Sequence, residues 1–221
     1  MLDTIQPTQL IQLLNNPDVS PREINLPHDS FRPFQLDTIR YLLDRPDESI
    51  VLLQAPVGSG KTALAKAMSV SDGGTMAVVK TKSLQQQYAE GYDFDVVFGR
   101  ANYPCVHPER ETLDSTAADC IYESMMNECE YAEECPYLIA KHIAQASSQR
   151  VINYAYMNTS RWVKLPQYAT DYLFLDECHN LPDETLEFVS CTVREGERIK
   201  WRLPEFPSVY DSSRNSIGEL R

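Results

Sequence analysis

The residues of this chain best suited to chemistry are Gly58-Ser59-Gly60-Lys61-Thr62, which follow the apolar run Ser49 to Gln54 and the link Ala55-Pro56-Val57. They read as a phosphate-binding loop. Backbone N–H groups of Gly58 to Thr62 can wrap an anion, Lys61 can reach its outer phosphates, and the Thr62 hydroxyl suits Mg²⁺. The common form of the pattern has glycine where this chain has Ala55, a residue small enough for the same tight turn. A second set lies far downstream, where the apolar run Tyr172 to Leu175 delivers Asp176-Glu177-Cys178-His179. An acidic pair at the end of such a strand can hold Mg²⁺ through Asp176 and polarise, through Glu177, a water that attacks a γ-phosphate. His179 stands where it would sense both the nucleotide and a second ligand. An acidic pair after a strand is a weak signal alone, and together with Lys61 it becomes a strong one.

Four cysteines, Cys105, Cys120, Cys129 and Cys135, form a third set. Between the first and last of them the chain has nine acidic side chains against the single basic Arg110, and no strand pattern. A small loop-rich segment of this kind cannot order itself by apolar burial, so a metal centre would supply the missing free energy. Intervening gaps of 14, 8 and 5 residues lack the close pairs usual in structural Zn²⁺ sites, while four thiolates also suit a [4Fe–4S] cluster. The spacing favours the cluster over Zn²⁺ and leaves unliganded thiols as the remaining option. His107 is a conceivable substitute ligand. Cys178 and Cys191 read as buried structural thiols.

The elements that must position these groups alternate between strands and helices. Pro7 to Asn16 reads as a short amphipathic helix, and Phe31-Arg32-Pro33-Phe34-Gln35 leads into a second, with Leu36, Ile39, Leu42 and Leu43 on its apolar face. The run before the phosphate loop reads as a strand and the residues after Lys61 as a helix. Thr75 to Val79 is a further strand, ending in Lys80-Thr81-Lys82-Ser83 before a helix over Leu84 to Glu90. Two cations, hydroxyls and free N–H groups converge there, which suits a sugar-phosphate backbone. Asp95 to Phe98 is a third strand. Beyond Cys135 a helix runs to about Ser147 with Leu138, Ile139, Ile143 and Ala146 inward, followed by a strand over Arg150 to Tyr154. Tyr172 to Leu175, apolar throughout, reads as a central parallel strand.

Composition sets outer limits. With 221 residues, 43% of them hydrophobic, the chain can bury a sizeable core. No run approaches the ~18 apolar residues of a membrane span, and no basic stretch precedes an apolar block near Asp3, so a cytoplasmic protein without a signal peptide is expected. The net charge of −12 requires any nucleic-acid contact to be locally basic.

In order along the chain, R-P-F-Q, A-P-V-G-S-G-K-T, K-T-K-S-L-Q-Q-Q-Y, G-R-A-N-Y-P-C with three later cysteines, V-I-N-Y-A-Y and D-E-C-H span residues 31 to 180. This series resembles the N-terminal part of the XPD/DinG family of iron–sulfur superfamily 2 DNA helicases. The resemblance implies an α/β, RecA-like P-loop domain with a parallel sheet, carrying an inserted small four-cysteine iron–sulfur domain. It divides the chain into an N-terminal helix and link over 1–30, the RecA-like domain over 31–100 and 141–187, the cluster insertion over 101–140, and the start of an arch-like insertion or tail over 188–221. Arg32, Gln35, Ala55, Gly58, Ser59, Gly60, Lys61, Thr62 and Asp176 then serve ATP and Mg²⁺, and Lys61, Asp176, Glu177 and His179 the hydrolytic step. The four cysteines would hold [4Fe–4S], with Zn²⁺ the lesser alternative.

Lys80, Thr81, Lys82, Arg100, Asn153 and Tyr154 are the candidates for contact with single-stranded DNA or a forked duplex, with Lys141 and Arg150 as further cations. Arg194, Arg198, Lys200 and Arg202 form a basic cluster that suits a solvated face as well as DNA. Family members move 5′ to 3′ with the help of a second RecA-like domain, which is expected here from a C-terminal continuation or a separate chain. Two other function classes stay open: an ATP- or cluster-binding module that recruits or regulates a partner, and an unrelated P-loop kinase or transferase with a zinc insertion.

Overall fold

A computed structural model of the chain describes residues 7–44, 50–70, 74–108, 114–120, 128–190 and 200. They fall into two compact units, Met1–Thr185 and Leu186–Arg221, and everything below on the sheet and the site belongs to the first. Cys191, Arg194, Arg198 and Arg202 lie outside the described residues.

Among the described residues the sheet has four strands, all parallel: β1 (Thr75–Val79), β2 (Asp95–Val96), β3 (Gln149–Asn153) and β4 (Tyr172–Leu175), in the spatial order β2-β3-β1-β4. β1 is paired on both sides, Thr75 opposite Gln149 and Tyr172, Val78 opposite Ile152 and Leu175. All five of its residues are buried, which is why it reads as an unbroken β-branched and apolar run.

Because successive side chains point to opposite faces, Met76, Val78 and Ile152 enter one core while Ala77, Val79 and Val151 enter another. Helices cover both faces. On one lie α1 (Pro7–Leu14), α2 (Gln35–Leu43), α3 (Lys61–Ser69) and α4 (Lys82–Tyr92), with Leu10, Leu14, Ile39, Leu43, Leu64, Met68 and Tyr88 inward. On the other lie α5 (Pro136–Ala146) and α6 (Tyr154–Thr159), with Tyr137, Leu138, Ala144, Tyr154, Tyr156 and Trp162 in the core. α7 (Leu181–Val189) follows β4.

Several expectations need correction. Residues 50–54 form no strand; Ile50 and Leu52 are 83% and 85% exposed. An apolar run gains from the extended state only when a neighbouring strand takes up its backbone groups, and here it is paired with none. β4 is consequently an edge among the described residues, with Leu173 51% exposed, and not a central strand. The strand expected over Asp95 to Phe98 contracts to Asp95–Val96, and that expected over Arg150 to Tyr154 runs Gln149–Asn153, because Tyr154 already opens α6.

The buried face of α5 is Tyr137, Leu138, Lys141 and Ala144, while Ile139 and Ile143 are half exposed. The Tyr137 hydroxyl bonds that of Tyr156 at 3.1 Å, and this fixes the helix's rotation against the hydrophobic count. Cys178 is exposed, not buried. Among the described residues no helix is long and apolar enough to cross a membrane.

Burial raises the phenol pKa values of Tyr88, Tyr92, Tyr103 and Tyr154 above the ordinary 10.0 and lowers that of the Lys66 amine below 10.5. In the unfolded chain the phenols release their protons near pH 10, while the folded chain keeps them, so stability falls as pH rises past 10 toward the folded values. Lys66 acts with the opposite sign, adding stability as pH climbs from its lowered value to 10.5. Four phenols outweigh one amine. The thermal midpoint is expected to drop between about pH 9.5 and 11, less steeply in Tyr103→Phe; a flat profile across that window contradicts the burial described here.

Candidate functional site

The phosphate loop is built from backbone conformation before side chains enter. Gly58 and Gly60 take φ of +80° and +89°, the left-handed region that a side chain penalises, and Gly60 caps α3 directly ahead of Lys61. Gln35 holds the loop from behind. Its Oε1 accepts the Arg32 N–H at 2.7 Å, and its Nε2 donates to the Gly60 carbonyl at 3.3 Å. The side chain of Gln35 is buried, and its amide is engaged at both ends, so in this structure it braces the loop and does not present a free edge to a base. A Cβ on Gly60 would lie 2.1 Å from Gln35 Nε2.

Parallel pairing brings the acidic pair to the same edge. The Asp176 N–H donates to the Val78 carbonyl at 2.9 Å, continuing the β1–β4 ladder by one rung. Glu177 then turns into the left-handed region at φ 54°, a conformation costing on the order of 1 kcal/mol for a residue with a side chain. Asn180 holds it there, its backbone N–H and side-chain Nδ2 both donating to the Glu177 carbonyl at 2.9 and 3.1 Å.

So held, Glu177 Oε1 lies 3.5 Å from Lys61 Nζ, and Oε2 lies 3.3 Å from His179 Nδ1. Lys61 Nζ also donates to the Ala55 carbonyl at 3.3 Å. A cleft of about 330 Å³ unites His28, Arg32, Gln35, Gly58 to Thr62, Asp176 and Glu177. Burial, then the adjacent Glu177 carboxylate, push the Asp176 pKa above the ordinary carboxylate value, and the Lys61 cation opposes them. A hydroxyl from Thr62 and a carboxylate from Asp176 in one cleft are hard oxygen donors, and that donor set fits Mg²⁺.

The polynucleotide candidates separate. Lys80, Thr81 and Lys82 stand at the end of β1 and the start of α4, where the Thr81 hydroxyl caps the helix by accepting the Leu84 N–H at 3.3 Å. Lys80 Nζ is shared between Asn180 Oδ1 at 3.3 Å and Glu184 Oε1 at 3.4 Å, and Lys82 Nζ donates to Asn102 Oδ1 at 2.8 Å. Arg100 donates to the Cys120 carbonyl at 2.9 Å.

Asn153 caps α6, accepting the Tyr156 N–H at 2.8 Å. Tyr154 is fully buried with its hydroxyl donating to the Asp176 carbonyl at 2.9 Å, so the expectation of a DNA contact there gives way to a place beneath the acidic pair. Lys141 and Arg150 are buried as well. The Arg150 guanidinium donates to the carbonyls of Ala144, Ser147 and Tyr168, joining the end of α5 to the segment before β4.

Cys105, Cys120, Cys129 and Cys135 are all half-buried. Cys129 and Cys135 are joined by successive turns in which Ala132 N–H donates to the Cys129 carbonyl and Cys135 N–H to that of Ala132. Thiolates are the right donors for a cluster or for Zn²⁺. Among the described residues, however, no three His, Cys, Asp or Glu side chains converge as ligands of one metal ion, so the four thiols do not form a ready-made cage.

The DEAD_2 family model, that of the N-terminal domain of XPD/Rad3-type helicases, matches residues 79–197. The chain belongs to the DEAD_2 family. Its match runs from the end of β1 through the cysteines to beyond the acidic pair, and the phosphate loop lies ahead of it. Membership makes this a helicase-type domain, and the four-stranded parallel sheet agrees with a RecA-like fold. No curated protein matches the chain.

Two supports of this site are not among the site residues the sequence suggests: Asn180, which steadies Glu177, and Tyr88, whose hydroxyl reaches Asp176 Oδ2 at 3.4 Å. Asn180 follows D-E-C-H directly, and Tyr88 ends the K-T-K-S-L-Q-Q-Q-Y string, so adjacency was their one signal.

Gly60→Ala is expected to cost about 1–3 kcal/mol of stability through its backbone conformation and to weaken nucleotide binding by pushing on Gln35. Gly91→Ala, within α4 and with no atom inside 4 Å of the added Cβ, is expected to gain about 0.5–1 kcal/mol. Equal melting curves for the two variants contradict the loop geometry.

Proposed function

We propose that this chain is the first motor domain of an ATP-driven DNA helicase of the XPD/DinG type. One observation carries the reading: Lys61 of the phosphate loop lies 3.5 Å from Glu177 of the acidic pair, with Thr62 and Asp176 lining the same cleft. These elements are 116 residues apart in sequence (177 − 61). A chance glycine turn and a chance acidic strand end have no reason to meet.

In this reading the N–H groups of Gly58 to Thr62 bind the nucleotide's phosphates, and Lys61 exchanges Glu177 for the outer ones. Thr62 and Asp176 hold Mg²⁺, which supplies charge neutralisation at the phosphates when bound. Glu177, released by Lys61, orients the attacking water. His179, 3.3 Å from Glu177 and 3.1 Å from the side chain of Lys80's partner Asn180, would link the nucleotide to the strand contacts. Single-stranded DNA would run over Lys80, Thr81 and Lys82, taking Lys80 from Asn180 and Glu184. Travel 5′ to 3′ follows from the family resemblance and needs a second RecA-like domain to close on the nucleotide, since one domain has nothing to step against. Cys105, Cys120, Cys129 and Cys135 would bind [4Fe–4S], the four thiols being drawn together as the cluster binds, as donor chemistry allows without a preassembled cage.

Lys61→Ala is expected to abolish measurable Mg·ATP binding in calorimetry while leaving the thermal midpoint unchanged, because the loop lysine is peripheral to the core. Equal affinity in variant and parent overturns the reading. Lys80→Ala is expected to weaken single-stranded DNA binding and lower its salt slope by about 1, and Glu184→Gln to strengthen binding. Iron measured on anaerobically purified protein is expected to disappear in Cys129→Ser and to persist in Cys178→Ser; stoichiometric Zn²⁺ without iron overturns the cluster assignment.

A further inference from the structure

Tyr88 is among the largest fully buried side chains, 1% exposed, and its ring is held edge-on by Phe94 with centroids 5.3 Å apart and planes at 86°. A tyrosine so placed must find a partner for its hydroxyl, and a carbonyl of the surrounding core would suffice. Its partners are different. The hydroxyl lies 3.4 Å from Asp176 Oδ2, and the Thr62 side chain is within its hydrogen-bonding reach. One phenol thus touches a residue at the start of α3 and another at the end of β4, the two that the preceding reading assigns to Mg²⁺.

The surroundings sharpen the point. Asp176 is fixed through its backbone N–H by the Val78 carbonyl and through its own carbonyl by the Tyr154 hydroxyl. Neither contact sets the carboxylate's rotation about its side-chain bonds. That is set by the Glu177 backbone N–H and, from the buried side, by the Tyr88 hydroxyl at Oδ2. A phenylalanine here would pack as well against Phe94 and would spare the desolvation of a hydroxyl, so packing alone does not account for the residue type.

We propose that Tyr88 is a positioning residue that holds the Asp176 carboxylate and the Thr62 hydroxyl at ligand spacing before Mg²⁺ arrives. The proposal rests on the nucleotide and Mg²⁺ reading of the cleft. The phenol donates to a ligating carboxylate from outside the metal's own shell, and removing such a partner costs on the order of tenfold or more in metal affinity. The same contact ties α4 to the site. That helix begins at Lys82, just past the Thr81 cap, and carries Tyr88 about two turns further on.

The test is nucleotide affinity of the full chain with Mg²⁺ and with excess chelator, using a fluorescent ATP analogue. The ratio of the two values is the gain that the metal confers. Tyr88→Phe is expected to leave the chelator value unchanged and to cut the gain about tenfold. Tyr103→Phe, which removes a half-buried phenol that accepts the Phe98 N–H, is expected to leave the gain intact.

An undiminished gain in Tyr88→Phe, with nucleotide binding lost in Lys61→Ala, overturns the role of Tyr88 alone. Equal loss with and without Mg²⁺ overturns it in favour of a packing role. A parent chain with no gain from Mg²⁺ overturns the underlying reading and this proposal with it. In the parent, ¹³Cζ-tyrosine resonances give a check that does not depend on the variant folding: one is expected to shift when Mg²⁺ joins the nucleotide complex, and none shifting overturns the proposal.

Discussion

Parallel pairing of β1 with β3 on one side and β4 on the other sends three strand ends to one edge of the sheet, and the site depends on that constraint. Lys80 leaves β1 there, Asn153 leaves β3, and Asp176 leaves β4 still bonded to Val78. A slip of one residue between β1 and β4 would turn every β4 side chain to the opposite face and carry Asp176 away from Lys61. The packing of Met76 and Val78 into one filled core and of Ala77 and Val79 into the other opposes such a slip, since exchanging side chains of different size between two close-packed cores leaves voids in one place and overpacking in another.

Polar groups lock what the apolar ones align. At the beginning of the strands Lys66 donates to Gln149 Oε1 at 2.8 Å, Ser69 donates to the same oxygen at 2.9 Å, and Gln149 Nε2 donates to the Asp93 carbonyl at 2.8 Å. This joins α3, β3 and the end of α4 without leaving the buried ammonium bare. At the other edge Tyr154 and Tyr88 approach Asp176 from opposite faces of the sheet. Burial in a low dielectric strengthens such bonds and also penalises their loss, so the acidic pair is held by groups that have no cheaper alternative.

The phosphate loop and the acidic pair were legible in the sequence because both are local: fixed spacing in one case, an apolar run ending in two carboxylates in the other. β1 and β4 were legible for the same reason. What the sequence could not show is pairing. Residues 50–54 have a strand's composition, but whether they form one depends on a partner edge, and the structure leaves them out of the sheet. The face of α5 is not legible because Ile139 and Ile143 outweigh Tyr137 and Lys141 in hydrophobicity, whereas the buried face carries the Tyr137–Tyr156 bond. Tyr154 sat next to a strand's polar end and looked exposed; its hydroxyl instead finds a carbonyl 22 residues away. The four cysteines announced a metal by type and number, yet ligand convergence is a three-dimensional property that their spacing does not encode.

In the proposed function the loop at Gly58–Thr62 and the strand end at Asp176–Glu177 form one nucleotide site. Hydrogen–deuterium exchange of the full chain with and without Mg·ATP tests it most directly. Simultaneous protection of peptides covering 55–62 and 172–177, both lost in Lys61→Ala, is the predicted result. Protection of the loop with exchange at 172–177 unchanged would contradict it.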